Sequence, residues 1–399
     1  MTAILNQFIY KITSFFVSIA MLFGYSGDCL KADSADWNTN YKYVFVHGLS
    51  GWGSYDEVNK LMPYWGMMGG DLMEYLNDKG FDCYAASVAP SSSAWDRACE
   101  LYAQLTGTVV DYGKAHSEKY GHDRFGTDFT GRALIDEWNA EEKINLLGHS
   151  FGGATVRLFA HLMANGSEDE IRATDDAELS DFFKGGKGDY IHSIVTLAAP
   201  HNGTTAYMVD ENDVPKDDNA LSNIKTDIQT KLTSLIRLAS GNPEAGTKSP
   251  EDYASYDMYI DNALAMNKEI ATLEDVYYFS VPCCATTQNA DGTWSPEEGI
   301  MEPLFVSASK VMGIFTGTTE DGYYVDESWQ MNDGLVNTSS AMAPSDAPAT
   351  EYSEGNVVAG VWNVMPIYNG DHMSLQGGLT KINDVKDYYV DLLSMINRI

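Results

Sequence analysis

Short apolar runs, each bounded by turn residues, recur at positions 43–46, 81–87, 144–147, 191–197, 277–281 and 357–361. Each has strand length. Most of the segments between them space their apolar residues as a helix would, notably 96–105 and 154–163. Strands alternating with helices predict a mostly parallel sheet covered on both faces. Such sheets carry their sites beyond the carboxyl ends of the strands. Positions 385–399 predict a closing helix. Two stretches break the alternation. One, 106–130, is polar and rich in Gly, Tyr and His; the other, about 204–275, is long and mixed. Insertions of that length usually have a function of their own. The acidic, glycine-rich stretch 166–187 reads as a surface loop, and no internal repeat is found.

The third run ends in Gly148-His149-Ser150-Phe151-Gly152, and an Ala/Val/Leu-rich helical pattern follows at once. Strand, glycine-flanked serine and helix, in that order, are the context of a nucleophile elbow. A serine hydroxyl needs a base within hydrogen-bond reach, and the base needs a third group to fix its tautomer. Downstream, Asn332-Asp333-Gly334 puts an acid on a tight turn, and Gly370-Asp371-His372 puts a histidine before the last helix. Ser150, Asp333 and His372 therefore follow the chain order of an α/β-hydrolase triad. Acyl transfer also needs donors aimed at the developing oxyanion. The backbone N–H of Phe151, directly after the serine, is the first candidate. That of Leu49, in the His47-Gly48-Leu49-Ser50-Gly51 loop after the first strand, is the second.

The 399 residues and 44% hydrophobic content suffice for a large core. A net charge of −32, from 57 acidic and 25 basic residues, excludes a nucleic-acid partner, which needs clustered Lys and Arg. At the N-terminus, Lys11 precedes an apolar run over 12–25, and Ala32-Asp33-Ser34-Ala35 offers small residues for cleavage. Residues 1–35 thus read as an export signal, and 36–399 as one domain of a secreted protein. Cleavage there removes Cys29 and leaves Cys83, Cys99, Cys283 and Cys284, expected to be mostly free, buried thiols.

Positions 43–52, 95–99, 110–126, 148–153, 332–337 and 368–372 together resemble the large secreted bacterial triacylglycerol lipases of the Geobacillus and Staphylococcus type. The segment from Asp111 to His122 (DYGKAHSEKYGH) is nearly diagnostic of them, and the resemblance runs from about Tyr41 onward. It implies an α/β-hydrolase fold, cleavage of glycerides and simpler esters at a lipid–water interface, a zinc site in an insertion (about 95–130) and a helical lid (within about 204–275). His116 and His122, six apart in the polar insertion, and Asp96 are zinc-type ligands by chemistry. The family's fourth ligand is an aspartate of a Tyr-Asp pair beyond the lid, which Asp257 matches. Four protein ligands imply a structural metal. The family's calcium site uses an acid two residues after the catalytic histidine and a later Asp-Pro. Here Ser374 and Gln376-Gly377-Gly378 stand instead, so no calcium site of that type is expected. Leu221, Ile224, Ile228, Leu232 and Leu235 fall on one helical face within 217–239, the expected lid helix.

The sequence thus predicts a secreted serine hydrolase acting on carboxylic esters, with no obligate protein partner inferred. Two alternatives are a lidless carboxylesterase for short soluble esters and a binding module that kept the fold without turnover.

Overall fold

The computed structural model describes residues 34–209, 248–379 and 382–399. The expected export signal (all but its last two residues) and the expected lid helix lie outside the described residues.

A seven-stranded sheet organises the chain. Its strands are β1 (Lys42–Val46), β2 (Cys83–Ala86), β3 (Ile144–His149), β4 (Ile191–Leu197), β5 (Tyr277–Val281), β6 (Ala349–Glu351) and β7 (Trp362–Val364). They lie side by side in the order β6-β7-β5-β4-β3-β1-β2, and every neighbouring pair is parallel. The four helices that clothe it most closely are α1 (Leu72–Asp78), α2 (Ala94–Thr106), α3 (Gly152–Asn165) and α4 (Lys386–Asn397).

Side chains alternate across a strand, and the alternation sorts the core into two halves. Val44 and Val46 of β1 face Ala98, Leu101, Val156 and Phe159 of α2 and α3. Tyr43 and Phe45 face Leu72, Leu76, Tyr389 and Leu393 of α1 and α4. Both halves are apolar, which is why the central strands read as continuous hydrophobic runs.

Five of the six expected strands stand where the apolar runs placed them, give or take two residues. The sixth does not. The run 357–361 contains Gly360 at φ 72°, a turn conformation, and the strand starts only at Trp362. Edge strand β6 (Ala-Thr-Glu) is wholly exposed and carries no apolar pattern. The stretch 166–187 is not a plain surface loop. It begins with a helix, Glu168–Ala173, capped by Ser167, and buries Phe182 and Phe183 beside α2 and α3. Within the polar insertion, Val109–Asp111 pairs antiparallel with Phe125–Asp128, and the helix Lys114–Tyr120 lies between them. Cys83, Cys99, Cys283 and Cys284 are free thiols, and all but Cys284 are buried. No helix among the described residues is long and apolar enough to cross a membrane.

Candidate active site and metal cluster

Ser150 sits between β3 and α3 at φ 54°, a left-handed conformation that a non-glycine residue adopts only under strain. Its surroundings leave no space for side chains. A Cβ on Gly148 would come within 2.4 Å of the Gly152 carbonyl oxygen, and one on Gly152 within 2.3 Å of the Val46 oxygen. The glycines of the motif are thus required by contact with the neighbouring backbone.

The hydroxyl is aimed at His372, whose Nε2 lies 2.8 Å from Ser150 Oγ. On the other side of the ring, Nδ1 lies 2.9 Å from Asp333 Oδ2. Asp333 is buried, and its second oxygen accepts from the N–H groups of Leu335 (3.0 Å) and Val336 (2.8 Å). Gly334, at φ 104°, makes that tight turn possible. The three residues that the sequence singled out therefore form one continuous hydrogen-bonded chain, although they are 183 and 39 positions apart (150 to 333, 333 to 372). With an acid accepting at Nδ1, the proton belongs on that nitrogen, and Nε2 keeps its lone pair for the serine proton.

Both expected oxyanion donors adjoin the serine. A Cβ on Gly48 would meet Ser150 Cβ at 2.7 Å, which measures how closely the loop of Leu49 approaches the serine. Among the described residues, the N–H groups of Leu49 and Phe151 have no hydrogen-bond acceptor. Ser150 and His372 open into a cavity of about 310 Å³, with walls that include Leu49, Met258, Leu304, Phe305, Leu335 and Val336. Gln376 also lines it; its side-chain amide is buried and has no hydrogen-bond partner among the described residues.

A hydrogen-bond relay that the sequence reading did not anticipate runs behind the serine. His149 Nε2 is 2.8 Å from the carbonyl oxygen of His372, and Nδ1 is 2.7 Å from the Tyr64 hydroxyl. A carbonyl oxygen can only accept, so Nε2 carries the proton and Nδ1 accepts from Tyr64. The Tyr64 oxygen in turn accepts from Gly48 N–H at 3.0 Å. Burial, followed by the nearby His372, lowers the His149 pKa to about 3, so its ring stays neutral. The relay ties the backbone of His372 to the loop of Leu49.

A second cluster lies at the polar insertion. Asp96, in the first turn of α2, and His116, His122 and Asp252 bring one ligand atom each to within 4.8 Å of one another. His116 Nε2 is 3.2 Å from Asp96 Oδ1 and 3.3 Å from Asp252 Oδ1; His122 Nε2 is 3.3 Å from Asp252 Oδ2 and 3.9 Å from Asp96 Oδ1. Nitrogen and oxygen ligands about 2.0–2.1 Å from a tetrahedral zinc ion stand roughly 3.3 Å apart, so these spacings suit one. His122 Nε2 is buried without a hydrogen-bond partner, while Nδ1 donates to the Asp123 carbonyl at 2.9 Å. That tautomer leaves the Nε2 lone pair turned into the cluster, as a metal ligand requires. His116 is held by its backbone: the N–H groups of Ala115 and His116 donate to the buried carboxylate of Glu170 at 3.0 and 2.8 Å.

The fourth residue of the cluster is Asp252, not the expected Asp257. Asp257 turns instead to the start of α2, where its Oδ2 accepts from Ala94 N–H at 2.7 Å. Burial raises its pKa to about 7, and that hydrogen bond only partly offsets the effect. Both aspartates come from the stretch Asp252-Tyr253-Ala254-Ser255-Tyr256-Asp257; matching on a Tyr-Asp pair selects Asp257, because Asp252 stands before its tyrosine in the reverse order. Spacing alone held no better signal. Asp252 is fixed by Ser93, whose hydroxyl donates to it at 2.6 Å. Lys248 also escaped the sequence reading: its ammonium lies 2.7 Å from Asp96 Oδ2 and 3.0 Å from Asp252 Oδ2.

Comparison with known proteins agrees with this architecture. Residues 39–233 match the family model "Lipase-like, C-terminal domain". Lipase 2 of Staphylococcus aureus is 31% identical over 370 residues, which cover 87% of this chain and 52% of that protein. The chain thus spans about half the length of the curated relatives it matches. Among solved structures, EstA from Clostridium botulinum superposes with a TM-score of 0.77 at 31% identity, covering 98% of both chains. The Staphylococcus hyicus lipase does so at 0.73 and 28%, covering 92% of this chain and 98% of that one. On these grounds the chain belongs to the α/β-hydrolase family of bacterial lipases that includes the staphylococcal ones.

Proposed function

We propose that this protein is a secreted lipase that hydrolyses carboxylic esters of glycerides through Ser150, His372 and Asp333. The observation that carries this reading is the hydrogen-bonded chain from Ser150 Oγ through His372 to Asp333, at 2.8 and 2.9 Å, opening into an apolar cavity. The relatives named lipase support it, and so does the apolar N-terminal stretch that reads as an export signal.

In this mechanism Ser150 Oγ attacks the ester carbonyl carbon, and its proton moves to His372 Nε2. The N–H groups of Leu49 and Phe151 donate to the oxyanion. As the carbonyl re-forms, the bond to the alcohol oxygen breaks, and His372 returns the proton to the departing alcohol. Water then attacks the acyl-enzyme, giving up its proton to His372. The acid leaves, and that proton restores the Ser150 hydroxyl. Asp333 orients the imidazole and stabilises its charged form throughout. The aliphatic walls of the cavity suit an acyl chain.

Asp96, His116, His122 and Asp252 have the chemistry to hold a zinc ion. When bound, it would cross-link α2, the polar insertion and the 252 turn, with a structural role.

Ser150→Ala tests the reading: ester turnover should fall by on the order of a million-fold, with the thermal melt retained. A variant with near-normal rate overturns it. A chain-length series of p-nitrophenyl esters, read beside a triglyceride emulsion, distinguishes a lipase from an esterase of short soluble esters.

A further inference from the structure

Arg97 lies on the buried stripe of α2, between Ala94 and Leu101, and is fully buried. Among the described residues no carboxylate pairs with it. The charges of Glu100 and Asp257 act on it without contact; a buried guanidinium is costly unless its donors are used, and here they go to neutral oxygens around the candidate oxyanion hole. Nη1 donates to the carbonyls of Gly48 and Ala89, both at 3.3 Å, and Nη2 donates to the carbonyl of His47. Nε donates to Thr155 Oγ1 at 3.0 Å. The guanidinium carbon also stands 5.0 Å from the centre of the Phe151 ring.

The Gly48 carbonyl takes a second donor. His47 Nε2 accepts from Val88 N–H at 3.2 Å, which leaves the proton on Nδ1, and Nδ1 donates to Gly48 oxygen at 2.8 Å. Gly51 N–H donates to the same oxygen at 3.2 Å, so three donors share it, one of them a cation. The other end of the same peptide is the N–H of Leu49. Drawing electron density toward the oxygen leaves the amide nitrogen more positive and makes its N–H a stronger donor. The same three bonds fix the plane of the peptide. Arg97 thus touches both halves of the hole: the Leu49 amide through its peptide, and Phe151 through its ring.

We propose that Arg97 is a positioning residue of the oxyanion hole, which polarises and fixes the Gly48–Leu49 peptide from behind. The inference rests on the ester-hydrolase reading above. It differs from a packing role in what it does to the reaction. Substrate binding is left nearly unchanged, and transition-state stabilisation is lost.

The test compares Arg97→Met and Arg97→Lys with the unmodified enzyme on a p-nitrophenyl ester and on its thionoester, in which sulfur replaces the carbonyl oxygen. Sulfur accepts hydrogen bonds poorly, so a working hole favours the oxygen ester. Removing one direct oxyanion donor costs about 10²–10³ in rate. For a residue acting through that donor, Arg97→Met should lower kcat on the ester about tenfold to a hundredfold, with KM within about twofold. The ester-to-thionoester ratio should fall with it, and Arg97→Lys should recover part of the loss. If Arg97→Met does not fold, the lysine variant carries the test through its own ratio. Equal losses on both substrates, or an unchanged kcat, overturn the proposal. Ser150→Ala is run alongside. If it retains turnover, the hydrolase reading has failed; if it is inactive while the Arg97 ratio is unmoved, only the positioning role has.

Discussion

Asp333 and Asp252 are both buried aspartates beside histidines, yet their surroundings differ in kind. Asp333 has one histidine and two backbone amides; the protein satisfies it with neutral donors and leaves one imidazole free to move a proton. Asp252 faces two histidines, a lysine and, across the cluster, another carboxylate. One site is organised to change protonation at a single atom. The other concentrates ligands and charge where a cation can hold them. Asp333→Asn breaks the first arrangement most directly. The amide presents an N–H to His372 Nδ1 and forces the wrong tautomer, so kcat should fall by about 10⁴, with the melting temperature and its response to a chelator unchanged. A loss below tenfold would mean that Asp333 does not orient the base.

Acid separates the two regions next. His47 and His149 are buried beside Ser150 and its loop, each with its pKa lowered to about 3, first by burial and then by Arg97 and His372 respectively. Their folded pKa values lie below the unfolded value, so the unfolded chain binds protons more tightly. The stability they support is complete above about pH 6.5 and is lost as pH falls toward 3, by up to about 1.4 kcal/mol per pH unit for each. At His116 and His122 the shift has the opposite sign. Burial opposes their charged form, but the surrounding carboxylates, with the Asp123 carbonyl for His122, outweigh it and raise both values. In metal-free protein those two histidines stabilise the fold at low pH and lose that contribution as pH rises through their folded pKa values. Urea unfolding between pH 7 and 5, with and without chelator, should show a declining midpoint whose slope flattens in His149→Gln. An identical slope in the variant would count against a neutral His149.

The sequence was most informative where a side chain repeats or must be absent. Continuous apolar runs located β1 to β5, which are buried on both faces of the sheet, and the glycines around Ser150 mark backbone contacts that no Cβ can share. It was least informative where partners come from distant chain segments. Nothing near position 64 or 149 announces that Tyr64 and His149 share a hydrogen bond, and β6 pairs through backbone alone. Arg97 was legible in part: a charged residue on the stripe of Ala94, Ala98, Leu101 and Leu105 signals a buried interaction, although not its partners. The exchange of Asp257 for Asp252 has the same origin. Ser93 and the Ala94 amide, contributed by α2, decide which aspartate turns toward the histidines.

That exchange can be tested directly. Asp252→Ala should abolish the difference in melting temperature between zinc-loaded and chelated protein and lower the loaded value by about 5 °C, because metal binding is linked to folding. Asp257→Ala should preserve the difference, since it removes only a hydrogen bond to Ala94. The reverse pattern would return Asp257 to the ligand set.

Lys248 supplies the smallest effect and the finest distinction. Its ammonium bridges Asp96 Oδ2 and Asp252 Oδ2 and contacts Ser92 Oγ at 3.2 Å. Without metal, the two carboxylates and the lysine sum to −1; without the lysine they sum to −2. A divalent ion entering the cluster neutralises the carboxylates itself and repels the ammonium, so Lys248 stabilises the metal-free state more than the loaded one. Lys248→Met should therefore tighten zinc binding by on the order of tenfold, measured by competition with a chromophoric chelator. It should also lower the melting temperature of the chelated protein more than that of the loaded protein. Weaker zinc binding would give the lysine the opposite role: orienting the carboxylates for the metal, a contribution that outer hydrogen bonds make in many sites, would then outweigh the repulsion.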